Sequence, residues 1–147
     1  MGGMAQQDQQ AHQQQGEQQQ APERSVYDRM GGEAGIRRLT GRFYELMDTL
    51  PEAAECRAIH PESLAGSEQK LFEYLSYWFG GPPLFVERHG APMMRQRHFR
   101  APIGPLERDG WLICFRRAFD ETVEDPGLRD VVMPRVEALA MHMQNKA

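Results

Sequence analysis

The helical character of this chain is clearest in the sequence GIRRLTGRFYELMDTL, which spans residues 35–50. Its large apolar side chains recur at intervals of three and four residues, at Leu39, Phe43, Leu46, Met47 and Leu50. This spacing places them on one face of an α-helix, because the helix completes a turn about every 3.6 residues. Pro51 follows directly and is expected to end the helix or to open a new turn.

The same periodicity predicts two more helices further along the chain. One covers Ser67–Phe79 and ends at the run GGPP of residues 80–83, and a longer one opens at Pro105 or Leu106. The apolar face of the first consists of Leu71, Tyr74, Leu75 and Trp78. The apolar face of the second consists of Trp111, Phe115, Ala118, Phe119 and Thr122.

A last helix is predicted to begin at Asp125, which suits the N-cap, with Pro126 as its first helical residue. Pro134 is expected to kink this helix. Its inner face consists of Val132, Val136, Leu139, Ala140 and Met143.

Glycine and proline are frequent in residues 84–105, where we expect a loop with one short helical turn around Pro92–His98. Pro92 suits the first position of that turn. A long connection within a compact domain usually has a functional role. No segment alternates apolar and polar residues, so the predicted fold class is all-α, in one domain over residues 25–147.

Residues 1–24 are rich in glutamine, with some glycine, alanine and glutamate. Such a stretch cannot bury enough apolar surface to offset its ordering entropy, so the sequence predicts a disordered N-terminal tail. A solvated tail without a specific task is favoured, and a tail that binds a partner or associates with itself is the alternative.

Composition limits the classes of partner. The 147 residues carry a formal net charge of −4 without a basic stripe, so nucleic acid is not expected as a partner. The sequence shows no apolar run long enough to span a membrane and no signal peptide, which predicts a cytoplasmic protein. Cys56 and Cys114 do not form a CxxC motif and are expected to be reduced thiols.

A histidine in the predicted loop is the best candidate for binding a metal cofactor. His98 lies four residues after Met94, so the two share a face of a helical turn. A histidine on such a face suits the axial ligand of a haem iron, and Arg95 and Arg97 could bond the haem propionates. A surface histidine in a basic turn is the alternative. His89, beside a glycine, is not favoured as the ligand.

Two aromatic residues with polar groups could face a bound ligand. Trp111 begins an apolar face, and its indole N–H requires an acceptor when buried. Tyr44 lies one residue off the apolar face of its helix, where its phenol suits a donor into a pocket. Ordinary packing is the alternative for both. The sequence contains no phosphate-binding loop, HExxH motif or GxSxG motif.

Six short motifs together resemble the group II truncated haemoglobins, from about Tyr27 to Asn145. They are Arg42-Phe43-Tyr44, Leu64-Ala65-Gly66-Ser67-Glu68, Trp78-Phe79-Gly80-Gly81-Pro82, Arg97-His98, Ile103-Gly104 and Glu107-Arg108-Asp109-Gly110-Trp111-Leu112. The resemblance implies a globin-like two-over-two helical sandwich with haem b as the cofactor. It also implies reversible binding of oxygen, nitric oxide and other small diatomic ligands at a five-coordinate iron.

The resemblance further assigns roles to individual residues. His98 matches the proximal ligand of the iron, and Lys70 falls where a basic residue often meets a propionate. The residues expected to stabilise a ligand on the distal side are Tyr44, His60, Ser67 and Trp111. The residues expected to contact the haem are Lys70, Leu71, Tyr74, Leu75, Phe85, Met94, Arg95, Arg97, Ile103 and Trp111.

This chain departs from the family pattern on either side of His98. It has Gly90-Ala91-Pro92 where the family frequently has Gly-His-Pro. It has Phe99-Arg100-Ala101 where the family usually has a variable residue followed by Pro and Phe. Both changes affect the loop that shapes the proximal side of the pocket.

Two other classes of function are open from the sequence. A haem enzyme, either a nitric oxide dioxygenase or a peroxidase, would use the same pocket with a reductase as its electron donor. A helical interaction module without haem would use the glutamine-rich tail to bind a partner. The haem protein itself is expected to be a monomer or a homodimer.

Overall fold

Helices dominate residues 24–147, the part of the chain that the computed structural model describes. They are α1 (Val26–Arg29), α2 (Gly32–Thr49), α3 (Ala54–Ala58), α4 (Ala65–Trp78), α5 (Leu84–His89), α6 (Met94–Arg97), α7 (Pro105–Thr122) and α8 (Leu128–Met143). A 3₁₀ turn at Pro51–Ala53 joins α2 to α3, so Pro51 opens a new turn as predicted. No strand occurs within residues 24–147, which confirms the all-α class.

The core forms where α2 packs against α7. Leu39 and Phe43 are fully buried on α2, and Phe115 is fully buried on α7. The rings of Phe43 and Phe115 lie 6.2 Å apart, edge to face. Helix α4 packs against α2, and α8 packs against α7. The apolar faces that the 3.6-residue spacing predicts are therefore the faces that the core buries.

A glycine allows α7 to approach the segment before it. A Cβ atom added to Gly110 would lie 3.1 Å from the carbonyl oxygen of Glu52 and 3.2 Å from Cα of Ala53. Any larger residue would push the start of α7 away from the 3₁₀ turn and from α3. This close approach sets the position of the next residue, Trp111.

Helix α8 begins later than the sequence predicts. It starts at Leu128, so the prediction that Asp125 caps it, with Pro126 as its first residue, is wrong. The Asp125 carboxylate instead accepts the N–H of Gly127 at 3.0 Å, in a local turn, and pairs with Arg29 at 3.0 Å. Of the predicted inner face, three residues are buried: Val132, Val136 and Ala140.

The segment between α4 and α7 contains more helix than predicted. Helix α5 (Leu84–His89) replaces part of the expected loop, and α6 starts at Met94, so Pro92 is not its first residue. Helix α3 was not predicted either. These helices have four to six residues each, too few to show a repeating apolar period.

The predicted tail, residues 1–24, lies outside the described residues except for Arg24. Within the described range, no helix combines the length and apolar character that crossing a membrane requires.

Candidate functional site

One cavity of about 680 Å³ brings together side chains from every helix from α2 to α8. This volume lies within the range of small-molecule and cofactor pockets, roughly 300–1,000 Å³. Among the sequence-predicted residues it is lined by Tyr44, His60, Ser67, Lys70, Leu71, Tyr74, Phe85, Met94, Arg97, His98, Ile103 and Trp111. A second concavity of about 600 Å³ lies over α2 and the start of α4, and its lining includes Arg42, Glu45, Asp48 and Glu68.

His98 follows the last residue of α6 and lines the cavity. Its Nδ1 lies 2.7 Å from the carbonyl oxygen of Met94. A carbonyl oxygen only accepts hydrogen bonds, so Nδ1 carries the proton and Nε2 has a free lone pair. Burial lowers the pKa of His98, which favours the neutral ring. A neutral imidazole with its second nitrogen anchored in this way is the form that binds a metal.

The other histidine of this segment, His89, lies beside a buried carboxylate with which its Nε2 forms no hydrogen bond. His89 also lines the cavity, but its Nε2 lies 3.3 Å from Oε2 of the buried Glu73 carboxylate. Arg88 approaches the other oxygen of Glu73 at 3.5 Å. His89 thus lies beside a carboxylate and lacks the hydrogen bond that anchors Nδ1 of His98, which favours His98 as the metal ligand.

Trp111 and Tyr44 bring polar groups to the cavity wall. The Trp111 ring is held by two neighbours, stacking on Phe115 at 5.4 Å and meeting Phe43 edge to face at 5.2 Å. The hydroxyl of Tyr44 donates to the carbonyl oxygen of Ser67 over 3.3 Å, a long bond. Burial raises the pKa of Tyr44, so it stays a neutral phenol and a hydrogen-bond donor.

His60 lies in the bend after α3, with its ring 6.1 Å from the ring of Tyr44. Its Nδ1 bonds the carbonyl oxygen of Cys56 at 2.8 Å, so the proton of the neutral ring is on Nδ1. Its Nε2 is then an acceptor and not a donor. Burial lowers the pKa of His60, which keeps the ring neutral at pH 7.

The cationic side chains that line the cavity differ from those that the sequence predicts. Arg97 reaches the wall, but its guanidinium donates to three carbonyl oxygens before α6, that of His89 at the end of α5 and those of Ala91 and Pro92 in the loop. Arg95 does not line the cavity and bonds the carbonyl oxygens of His142 and Gln144 instead. Lys70 and Arg100 both line the cavity and are exposed.

Sequence reasoning missed two cations of the cavity wall, Arg100 and Arg108, and the guanidinium of Arg108 bonds Asp109 and Gln144. The exposed one of the two is Arg100. It belongs to the run that departs from the family pattern after His98, where an arginine replaces the usual proline. That departure from the family pattern was the signal in the sequence that could have pointed to Arg100. Leu75 differs from expectation in another way, since it is fully buried in the core and is not part of the cavity wall.

The cavity wall includes one thiol, that of Cys56. Burial raises its pKa to about 12, so it stays protonated at pH 7 and does not offer the thiolate that binds metals. Cys114 is likewise a free, buried thiol. Residues 24–147 contain no cluster of three or more His, Cys, Asp or Glu side chains arranged to hold a metal ion. The imidazole of His98, with its Nε2 lone pair free, therefore suits a metal whose other ligands come with a cofactor.

Comparison with known proteins agrees with this geometry. Residues 25–145 match the family described as bacterial-like globin. This chain belongs to that family. The group 2 truncated hemoglobin YjbI of Bacillus subtilis is 35% identical over 115 residues, which cover 78% of this chain and 85% of that protein. The globin is therefore a group II truncated haemoglobin, a family that binds small ligands through haem.

Solved structures give the same result for the fold. The group II 2-on-2 hemoglobin of Agrobacterium tumefaciens is 60% identical with a TM-score of 0.84, covering 86% of this globin and 98% of that chain. The truncated oxygen-avid haemoglobin of Bacillus subtilis is 34% identical with a TM-score of 0.75, and the match covers 83% of this globin and 100% of that chain. The predicted two-over-two globin fold is confirmed.

The residues around the cavity fit haem. A flat, apolar macrocycle with two carboxylates and an open axial position on its iron needs apolar walls, cations at the mouth and a neutral imidazole. Leu71, Tyr74 and Phe85 supply apolar surface, and Lys70 and Arg100 supply charge. The imidazole with an anchored Nδ1 is His98.

Proposed function

We propose that this globin holds haem b through Nε2 of His98, with a five-coordinate iron, and reversibly binds oxygen and other small ligands such as nitric oxide. The observation that carries this proposal is the 2.7 Å bond between Nδ1 of His98 and the carbonyl oxygen of Met94, which leaves Nε2 free in the cavity wall. Haem would supply an iron that binds diatomic ligands. One relative is described as oxygen-avid, which favours oxygen as the ligand.

The chain's own residues would bind and orient the macrocycle. Leu71, Tyr74 and Phe85 offer apolar and aromatic surface, whose burial stabilises binding by about 25 cal/mol per Å². Lys70 and Arg100 are exposed at the cavity, where each can bond a propionate. Arg95 drops out of the proposed propionate partners because it does not line the cavity, whereas Arg97 lines it and bonds backbone carbonyls through Nε and Nη2, which leaves its Nη1 for a propionate.

The ligand side of the site would be formed by Tyr44, His60, Ser67 and Trp111. Trp111 carries a donor at neutral pH, the Tyr44 hydroxyl donates to the carbonyl oxygen of Ser67 over a long 3.3 Å bond, and neutral His60 presents an acceptor. Donors in a cavity that excludes water retain a polar ligand longer, because water does not compete for the bond. The cytoplasmic location, a reductase partner and the choice between monomer and homodimer stay predictions of the sequence.

Titration of haemin into three purified forms of the protein tests the proposal. The wild type should give the five-coordinate spectrum after reduction, and His98→Ala should lose it. His89→Ala is the matched control, since it removes the other imidazole of the same segment and should keep the spectrum. If His89→Ala loses the spectrum while His98→Ala keeps it, the iron ligand is wrongly assigned.

A further inference from the structure

The proposed iron ligand is attached to a helix that does not support itself. Helix α6 has four residues, and a helix of that length does not form alone because nucleation costs more than its few hydrogen bonds return. Met93, directly before it, adopts the left-handed backbone region at φ 40°, which residues with a side chain rarely occupy. Contacts with other segments must therefore hold His98 in place.

Asn145, which follows α8, supplies such a contact. Its Nδ2 donates to the carbonyl oxygens of His98, at 3.2 Å, and of Ala101, at 3.0 Å. Its Oδ1 accepts the N–H of Ile103 at 2.9 Å. Both N–H donors and the acceptor of this one amide are thus used on the backbone of the iron ligand and the turn after it.

Further bonds join the same two segments. The backbone N–H of Asn145 donates to the carbonyl oxygen of Ile103 at 2.9 Å. From α6, the guanidinium of Arg95 donates to the carbonyl oxygens of His142, at 3.0 Å, and Gln144, at 3.1 Å. Hydrogen bonds therefore join the end of α8 and the residues after it to α6 and the turn of His98, with donors on both sides.

Asn145 does not line the cavity, so its side chain can act on haem only through the backbone that it holds. We infer that Asn145 is a positioning residue that sets the orientation of His98 toward the haem iron. This inference rests on the proposed function, because it takes His98 as the iron ligand.

Resonance Raman spectroscopy of the reduced, haem-loaded protein tests the inference through the iron–histidine stretching band. Asn145→Ala should shift this band, because the turn that carries His98 loses its bonds. Transfer of haem to excess apomyoglobin should become roughly tenfold faster. Asn145→Asp keeps an acceptor for Ile103 but loses the donor to the His98 carbonyl, so it should shift the band as well.

Lys146→Ala is the matched control, since the Lys146 backbone N–H bonds Ile103 at 3.0 Å and its side chain takes no part in holding His98. This variant should leave the band and the transfer rate unchanged. An unshifted band in Asn145→Ala, with or without a lower melting temperature, would overturn the inference and leave Asn145 a purely structural role. A band that survives in His98→Ala would instead show that the proposed ligand is wrong.

Discussion

Trp111 and His60 both line the cavity, but their ring nitrogens offer different groups to a ligand. The Trp111 indole carries an N–H at every pH, and its ring is held by Phe43 and Phe115. His60 uses its Nδ1 proton on the carbonyl oxygen of Cys56, so the neutral ring presents only an acceptor. A ligand that gains negative charge should therefore be bonded by Trp111 and not by neutral His60.

Replacement of Trp111 by Phe should raise the oxygen dissociation rate at least about tenfold. A hydrogen bond to a charged group contributes roughly 1.5–3 kcal/mol, and each 1.4 kcal/mol is about a factor of ten, which usually appears in the off-rate. Stopped-flow mixing at about pH 8 measures the rate. His60→Phe is the comparison and should change the rate less. A larger effect in His60→Phe would mean that the bend after α3, and not α7, controls ligand release.

His60 should act as a donor only in acid. Burial holds its pKa below the usual value of 6.5, so protonation begins as the pH falls below that value. The added proton goes to Nε2, because Nδ1 already carries one. Oxygen dissociation from the wild type should therefore slow as the pH is lowered from about 8 to about 5.5. The His60→Phe variant should lack this change, and an equal pH dependence in both proteins would exclude His60 as its source.

Residue identity alone did not predict what each arginine near His98 bonds. Arg97 is adjacent to His98 and reaches the cavity, yet its guanidinium is used by three carbonyl oxygens that precede α6. That outcome depends on the path of the loop, which neighbouring residues in the sequence do not specify. His98, Trp111 and Tyr44 were predictable because each lies on or beside a regular apolar face and within a family motif.

At the scale of the element, long helices were predictable and short ones were not. Helices α2, α4 and α7 span several turns, so their apolar faces repeat often enough to show a period. Helices α3 and α5 have five and six residues, and the glycines and prolines near α5 favour a loop. Contacts with α7 and α4 stabilise these short helices, and such contacts are not visible in local sequence.

The close packing of α7 against the 3₁₀ turn should depend on Gly110, which has no side chain to separate them. Gly110→Ala places a Cβ atom 3.1 Å from the Glu52 carbonyl oxygen, which should lower the free energy of unfolding by about 1–3 kcal/mol. Gly66→Ala is the matched control, because Gly66 lies in α4 with nothing within 4 Å of an added Cβ. Alanine there should be neutral or stabilising by up to about 1 kcal/mol. Urea titration followed by circular dichroism compares them, and equal losses in both variants would contradict this account of the packing.

At the scale of the whole molecule, we propose that residues 25–147 suffice for folding and haem binding. Helix α1 begins at Val26, with Ser25 as its N-cap, and the family match covers residues 25–145. A chain that starts at Ser25 should keep the haem affinity and the melting temperature of the full-length protein. Haemin titration and thermal unfolding of the two forms measure this. Failure of the shorter chain to fold or to retain haem would show that the glutamine-rich stretch belongs to the domain.

The account as a whole depends on Nε2 of His98 binding the haem iron. Chemical rescue of His98→Gly tests this most directly, because the glycine variant leaves room for free imidazole at the position of the lost ring. The reduced wild type should show a five-coordinate absorption spectrum, the glycine variant should lose it, and added imidazole should restore it. A glycine variant that keeps the wild-type spectrum without imidazole would contradict the account.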